Sequence, residues 1–155
     1  MSQEFIAHAK CGQDGAWAPP HLLADHVHGV AALAEQFAAV FGNGDWGRLA
    51  GLWHDLGKYQ PGFQDYIRKR SGFEEDEANE GGPGHVDHSI VGALWAMRRY
   101  GNEGENMGRT LAYLIAGHHA GLPDWLKTPG CLASRLQKAR RAASFLSGLF
   151  IPKES

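Results

Sequence analysis

The chain has 155 residues, a formal net charge of −2, and a composition that is 43% hydrophobic and 21% charged. This length suits one domain with a core of its own, and the composition is that of an ordinary globular protein rather than a disordered one. The charge argues against a nucleic-acid binder that depends on one strongly basic face. No apolar run predicts a transmembrane helix, and the first residues lack the basic and apolar regions of a signal peptide.

Cysteine and histidine usage indicate the compartment and the chemistry. The two cysteines, Cys11 and Cys131, lie far apart and form no CxxC motif, which favours a reduced, cytoplasmic protein. The nine histidines are the unusual feature, because histidine binds metals and carries protons near neutral pH. We interpret three of them, His8, His21 and His28, as scattered surface residues.

The first part of the chain predicts an irregular lead-in followed by a helix. Residues 1–20 form the lead-in, and residues 21–41 carry apolar side chains at steps of three and four, which is typical of an amphipathic helix. His26 lies beside this apolar face, either as a satisfied core residue or as a metal ligand. The residues expected to be buried are Leu23, Val27, Val30, Ala34, Phe37 and Phe41.

A second helix and a third, shorter one are predicted next. Residues 42–44 break the first helix, and Asp45 is expected to cap the second, which continues through Leu56 and stops at Gly57. Lys58 follows at the C-terminal end, where the helix dipole favours a cation. Pro61 is expected to open the third helix, with Phe63, Tyr66 and Ile67 facing inward.

Residues 71–85 differ in character from the rest of the chain. They combine five acidic residues, between Glu74 and Glu80, with a run of glycine and proline, which predicts an exposed, mobile acidic loop. The spacing of these acidic residues does not match a calcium-binding EF-hand. Because their charge repels phosphate, a nucleic-acid substrate is expected to approach from elsewhere.

Three further helices complete an all-α bundle of about six helices in a single domain, residues 1–155. They are predicted over residues 86–100, opened by His88, over residues 107–119, ended by the doublet His118-His119, and over residues 132–149, which are amphipathic and basic. No segment shows a convincing strand pattern, and no internal repeat is present.

The adjacent pair His54 and Asp55 is the centre of the candidate site. An imidazole beside a carboxylate suits a borderline divalent metal such as Mn, Fe, Co, Ni or Zn. Four more histidines lie near helix ends or apolar faces, and in a bundle these positions can converge on one pocket. Six ligands with one bridging carboxylate would hold two neighbouring ions, which is the arrangement that cleaves phosphoesters. The alternative is a set of core histidines that bind no metal. The candidate ligands are His26, His54, Asp55, His88, His118 and His119.

This order of residues resembles the HD phosphohydrolase superfamily. Three local contexts narrow the resemblance: residues 54–58 (HDLGK), 88–93 (HSIVGA) and 117–124 (GHHAGLPD). Together they are similar to the HD nuclease domain of the CRISPR-associated helicase-nuclease of type I interference systems. The resemblance covers roughly residues 20–125, and the third context is its most specific part.

The resemblance implies a function in antiviral defence. Domains of this family degrade single-stranded DNA with one or two divalent transition metals, here Mn, Fe, Co or Ni rather than Mg or Zn. They act beside a superfamily 2 helicase, fused or separate, which an RNA-guided surveillance complex recruits. No membrane partner is implied. The direction of cleavage, exonucleolytic or endonucleolytic, stays open.

The resemblance also implies roles for individual residues. His26, His54 and Asp55 would form a first metal site, and Asp55 would bridge to a second site formed with His88, His118 and His119. Lys58 would lie near the leaving phosphate as an electrostatic or proton-donating group, although a lysine that merely ends the helix is an equal interpretation.

The chain departs from the family pattern at one point. The family closes its first site with an aspartate on a later helix, but after His119 the only acidic residues are Asp124 and Glu154. This reflects either a truncated C-terminal part or a diverged site. We therefore expect the second site to fill first and the first site to be weak, completed by water, or empty.

Two other functions remain open from the sequence. One is an HD phosphohydrolase that acts on nucleotides or cyclic nucleotides, which uses the same metal chemistry. The other is a degenerate, non-catalytic domain that docks a helicase or an effector complex, for which the missing late aspartate is the main support.

Overall fold

Six α-helices, one short 3-10 helix and two very short strands make up the regular structure that the computed structural model describes. It describes residues 4–10, 14–16, 18–69, 87–100, 105–119, 121–126 and 129–143. The predicted acidic loop and the last part of the predicted final helix therefore lie outside the described residues. In chain order the elements are β1 (Ile6–His8), β2 (His21–Leu22), α1 (Leu23–Ala39), α2 (Gly44–Trp53), a 3-10 helix (Leu56–Tyr59), α3 (Pro61–Lys69), α4 (Ser89–Tyr100), α5 (Glu105–Ala116) and α6 (Leu132–Ala143). The predicted all-α class is confirmed.

Helices α1 and α2 pack with their backbones in close approach. A Cβ atom at Gly47 would lie 2.3 Å from the Ala34 carbonyl oxygen, and one at Gly51 would lie 2.5 Å from the Ala31 Cα. Only glycine allows this spacing. The interface therefore selects the small side chains of α1, and the larger ones on its C-terminal half face outward.

This packing corrects part of the predicted buried stripe of α1. Leu23 and Val27 are buried as predicted, but Phe37 is 72% exposed and Phe41 is 69% exposed. The capping prediction is also wrong, because α2 begins two residues earlier than expected and Asn43 occupies the N-cap position. Asp45 instead lies in the first turn, where the helix dipole favours its charge.

The main core lies between α4, α5, α6 and the end of α2. Helix α4 is central, and Gly92 allows it to meet the end of α2, since a Cβ there would lie 1.9 Å from the Trp53 carbonyl oxygen. The buried members of this core are Trp53, Ile90, Ala93, Ala96, Leu111, Ala112, Ile115, Ala116, Leu132 and Leu136. No helix among the described residues is long and apolar enough to cross a membrane.

Two helices end earlier than the periodicity predicts. Helix α2 stops at Trp53, and the chain passes through a turn at residues 54–55 before the 3-10 helix begins. Helix α5 stops at Ala116, so His118 and His119 lie in the turn that follows it. Both turns place their histidines beyond the last helical residue, where side chains can point into a shared cleft.

The two strands were not predicted. Strand β1 pairs with β2 in antiparallel fashion, with His8 opposite His21, and the Leu23 N–H donates a 2.8 Å hydrogen bond to the Phe5 carbonyl. Strand β2 contains residues 21–22, which were predicted to be the first two residues of the first helix. Strands of three and two residues are too short to show an alternating pattern, so the lead-in was wrongly predicted to be irregular throughout.

Candidate metal centre

Asp55 lies at the centre of the clustered histidines. Its side chain is almost fully buried, at 1% exposure, and its two oxygens face different partners. Oδ2 lies 3.0 Å from His26 Nε2 and 3.2 Å from His54 Nε2. On the other side, Oδ1 lies 3.5 Å from His88 Nε2 and 3.7 Å from His118 Nε2. The carboxylate thus stands between two sets of imidazoles.

The structure brings together all six sequence-predicted ligands. His119 joins the second set, because its Nε2 lies 2.9 Å from His88 Nε2. The donor atoms of Asp55, His88, His118 and His119 all lie within 4.8 Å of one another. The six residues come from four separate stretches of the chain, and their side chains lie together in the structure.

The donor atoms fit a cation. Asp55 Oδ1 and His118 Nε2 are buried and accept or donate no hydrogen bond to any described residue. A buried polar atom without a partner costs about 1–3 kcal/mol, and a bound ion would remove this cost for both. Ligand atoms that share an ion at bonds of about 2.0–2.2 Å lie roughly 3–4 Å apart, which is the range of the separations around Asp55.

Two of the imidazoles are held in the tautomer that presents the Nε2 lone pair to the site. The Nδ1–H group of His54 donates to the Gly51 carbonyl at 2.7 Å, and that of His118 donates to the Ile115 carbonyl at 2.5 Å. A carbonyl only accepts, so Nδ1 carries the proton and Nε2 keeps its lone pair towards the site. Such a partner also fixes the ring orientation, as it commonly does for metal-binding histidines.

Electrostatics keep the donors in their binding forms. Burial alone would raise the pKa of Asp55, but the imidazoles of His118, His26 and His54 and the charge of Lys58 outweigh burial and hold that pKa well below its usual range. Burial lowers the pKa of His88 to about 3, although the charge of Asp55 opposes it. Near neutral pH the site therefore presents a carboxylate and a neutral His88.

The position of His88 depends on a glycine in the family-like motif. A Cβ atom at Gly57 would lie 2.1 Å from the His88 carbonyl oxygen, so only glycine lets these two backbones meet. Asp87 then caps α4, because its Oδ1 accepts hydrogen bonds from the Ile90 N–H at 3.2 Å and from the Ser89 hydroxyl at 3.0 Å. The start of α4 is thereby fixed beside Asp55.

Lys58 is buried next to the carboxylate of Asp55. The residue has 0% exposure, and Nζ lies 3.4 Å from Asp55 Oδ2 and 3.4 Å from the Ala7 carbonyl oxygen. It also lies 5.6 Å from the centre of the Phe63 ring. These contacts suit a residue that positions Asp55, while its predicted role towards the leaving phosphate stays a prediction.

The sequence interpretation missed one histidine of the cluster. His8 was predicted to be a surface residue, but it is half-buried, and its donor atom lies within 4.8 Å of those of His26 and Asp55. His21 and His28 are exposed, as predicted. Asp124, the nearest candidate for the late aspartate, is exposed and belongs to neither donor group among the described residues. No local signal in the sequence marks His8, because its position depends on distant contacts.

Comparison with known proteins identifies the family. The family model described as HD domain matches residues 23–142, which include the six predicted ligands. A comparison with curated proteins found no match. HD domains are typically metal-dependent hydrolases, and the His and Asp residues here cluster like a metal site. The chain belongs to the HD domain family.

Proposed function

We propose that this chain is a metal-dependent phosphodiesterase that cleaves single-stranded DNA, as the nuclease domain of a type I CRISPR helicase-nuclease. The observation that supports a phosphodiesterase is the carboxylate of Asp55, buried between two imidazole sets with one oxygen towards each. When bound, a pair of divalent cations supplies an activated water and stabilises charge on the phosphodiester oxygens.

The protein's own residues prepare the site for that chemistry. His54 and His118 present fixed Nε2 lone pairs, and Asp55 is the one carboxylate in both donor groups. The positive charge of Lys58 stabilises the ionised form of Asp55. Because the donors are mostly imidazoles, the site favours a transition metal such as Fe, Co or Ni over Mg, which prefers oxygen ligands.

Support for a DNA substrate comes from the motifs and from the distribution of charge. The contexts around Asp55, His88 and His118 are those that resemble the CRISPR nuclease domain. Exposed basic side chains are present at the end of α4, at Arg98 and Arg99, and on α6. Arg135 is not counted among these phosphate-binding candidates, because it donates a 3.1 Å hydrogen bond to Asp87. These few local patches suit a strand held by a small number of phosphates.

The same charge distribution supports the action of a partner. With a net charge of −2, the chain has little electrostatic attraction for DNA over a long distance. A superfamily 2 helicase, fused or separate, that is recruited by an RNA-guided complex would deliver the single strand directly. In this proposal the domain contributes cleavage in antiviral defence, and its partners contribute targeting.

The test is cleavage of circular single-stranded DNA by the purified chain with Mn²⁺, Co²⁺ or Ni²⁺. Linear duplex DNA, nucleoside triphosphates and cyclic nucleotides are offered in parallel. We expect metal-dependent cleavage of the circle, which also shows internal cutting, and no cleavage by Asp55→Asn, a variant that preserves the size of the side chain. The proposal fails if only nucleotides are hydrolysed, which would indicate a nucleotide phosphohydrolase. It also fails if no substrate is hydrolysed, which would indicate a docking domain.

A further inference from the structure

Strand β1 carries a further histidine, His8, to the first metal site. We propose that His8 is a metal ligand there, and that it binds the ion together with His26 and Asp55. The inference rests on the metal site of the proposed function, but it does not depend on the substrate. It assigns a role to a residue near the start of the chain that no sequence motif marks.

The geometry places His8 beside His26 and Asp55. Its ring centre lies 4.8 Å from that of His26, with the planes nearly perpendicular at 81°. The donor atoms of His8, His26 and Asp55 lie within 4.8 Å of one another, close to the ~4.2 Å that separates opposite ligands at bonds of about 2.1 Å. His26 Nε2 also lies 3.1 Å from His54 Nε2. Three donors, from His8, His26 and Asp55, therefore lie close enough to share one ion, and His54 stands beside His26 outside this group.

A buried glutamine holds β1 in this position. Gln64, on α3, has 0% exposure, and its side-chain amide pairs with both polar groups of the Ile6 backbone. The Ile6 N–H donates to Oε1 at 2.9 Å, and Nε2 donates to the Ile6 carbonyl at 3.0 Å. Nε2 also donates to the Lys58 carbonyl at 2.7 Å, which ties the strand to the segment that follows Asp55.

Lys58 supplies a second anchor for the same strand. Its Nζ donates to the Ala7 carbonyl, adjacent to His8, and contacts Asp55. The strand, the lysine and the central carboxylate are thus mechanically connected. A ligand on a fixed strand loses little conformational freedom on binding, which favours affinity.

The proposal accounts for the departure from the family pattern. Where the resembling family closes the first site with an anionic oxygen from a later helix, this chain offers a neutral imidazole from β1. An imidazole donor suits Fe, Ni, Cu or Zn and does not suit Mg. The first site would then gain a ligand but would be less negative than its counterparts.

The test is a titration of the full chain with Co²⁺. Binding is measured by calorimetry and by the visible absorption of the bound ion. The variants are His8→Ala and His8→Gln, and the matched control is His28→Ala, an exposed histidine whose ring bonds within α1 at the Ala24 carbonyl. Circular dichroism checks that each variant folds. If His8→Ala does not fold, the titration is done with His8→Gln instead.

We expect the wild type and His28→Ala to bind two ions. Loss of His8 should weaken one of the two sites by about tenfold or more, with the absorption spectrum of that site changed and the other site unaltered. His118→Ala should weaken the other site instead. The proposal is overturned if the His8 variants titrate like the wild type, if they weaken both sites equally, or if the wild type binds one ion only. Dependence on His8 without DNA cleavage would refute the proposed function and leave this assignment intact.

Discussion

Replacing Gly92 with alanine is expected to destabilise the protein and to displace His88. A Cβ atom at this position would lie 1.9 Å from the Trp53 carbonyl oxygen and 3.0 Å from Ile115 Cγ2. Carbon and carbonyl oxygen approach to about 3.3 Å in ordinary contacts, so α4 would have to retreat by more than ~1 Å. His88 directly precedes the first residue of α4, four positions before Gly92, so its distance to Asp55 should increase.

The size of the effect follows from two opposing terms. Alanine is more favourable than glycine within a helix by about 1 kcal/mol, whereas overpacking typically costs about 1–3 kcal/mol and occasionally more. The obstacle at Gly92 is the backbone of α2, which cannot rotate away, so the cost should reach or exceed the upper end of that range. We expect a net loss of about 2 kcal/mol, which corresponds to a fall in Tm of roughly 4–8 °C for a domain of this size.

Gly29, in α1, provides a matched control. A Cβ atom there meets nothing within 4 Å, so Gly29→Ala should retain the helical gain and stabilise the protein by about 0.5–1 kcal/mol. Thermal and urea unfolding, followed by circular dichroism, measure both variants. If Gly92→Ala proves as stable as the wild type, the close contact between α4 and α2 does not position His88, and this reasoning is refuted.

Three further predictions concern the site, the start of α4 and the binding of DNA. Asp55→Ala should abolish hydrolysis while leaving the helical circular dichroism intact, because both donor groups lose their shared carboxylate; full activity would remove the metal-nuclease interpretation. Asp87→Ala should lower the free energy of unfolding in urea by about 1–2 kcal/mol, because α4 loses its cap. Arg135→Ala should lower it by less than about 1 kcal/mol, because the ion pair of Arg135 with Asp87 is partly exposed. Equal losses in the two variants would contradict this ranking. Binding of single-stranded DNA should be weak, with a shallow salt dependence of about −0.7 in slope per phosphate contact; tight, salt-insensitive binding of duplex DNA would contradict it.

The helices could be predicted because their signals are local. Apolar periodicity located each of them, and Pro61 marked the start of α3 correctly. The ends of α2 and α5 could not be predicted in the same way. The periodic residues continue past Trp53, but the tertiary structure needs His54 and Asp55 to leave the helix and turn towards α1 and α4.

The exposed face of α1 could not be predicted from hydrophobicity. Burial there is decided by how closely α2 approaches, and this depends on Gly47 and Gly51, which carry no hydrophobic signal of their own. Phe37 and Phe41 have the right spacing for a core face, but a glycine-lined interface has no room for them. The sequence pattern identified the amphipathic helix correctly but not the side that faces inward.

The candidate site could be predicted in part for a different reason. Six of its donors belong to segments whose order and immediate neighbours are informative, so their convergence could be inferred without coordinates. His8 has no such context. Its position depends on β1 pairing with Gln64, whose side chain bonds to Ile6 across 58 positions of the chain, and single-sequence reasoning gives no access to a contact of that kind.

The balance of charge in the site bears on what it is built to do. Seven donors face the centre, and among them only Asp55 is negative, while the ammonium of Lys58 lies 3.4 Å from it. Two divalent cations would therefore bring several positive charges that the protein does not neutralise. A purely structural metal site usually closes its coordination with its own ligands, whereas a catalytic site leaves a position for water or substrate. A phosphodiester would supply anionic oxygens to cations that the protein itself surrounds with few negative charges. The small negative charge around Asp55 is therefore consistent with the proposed reaction.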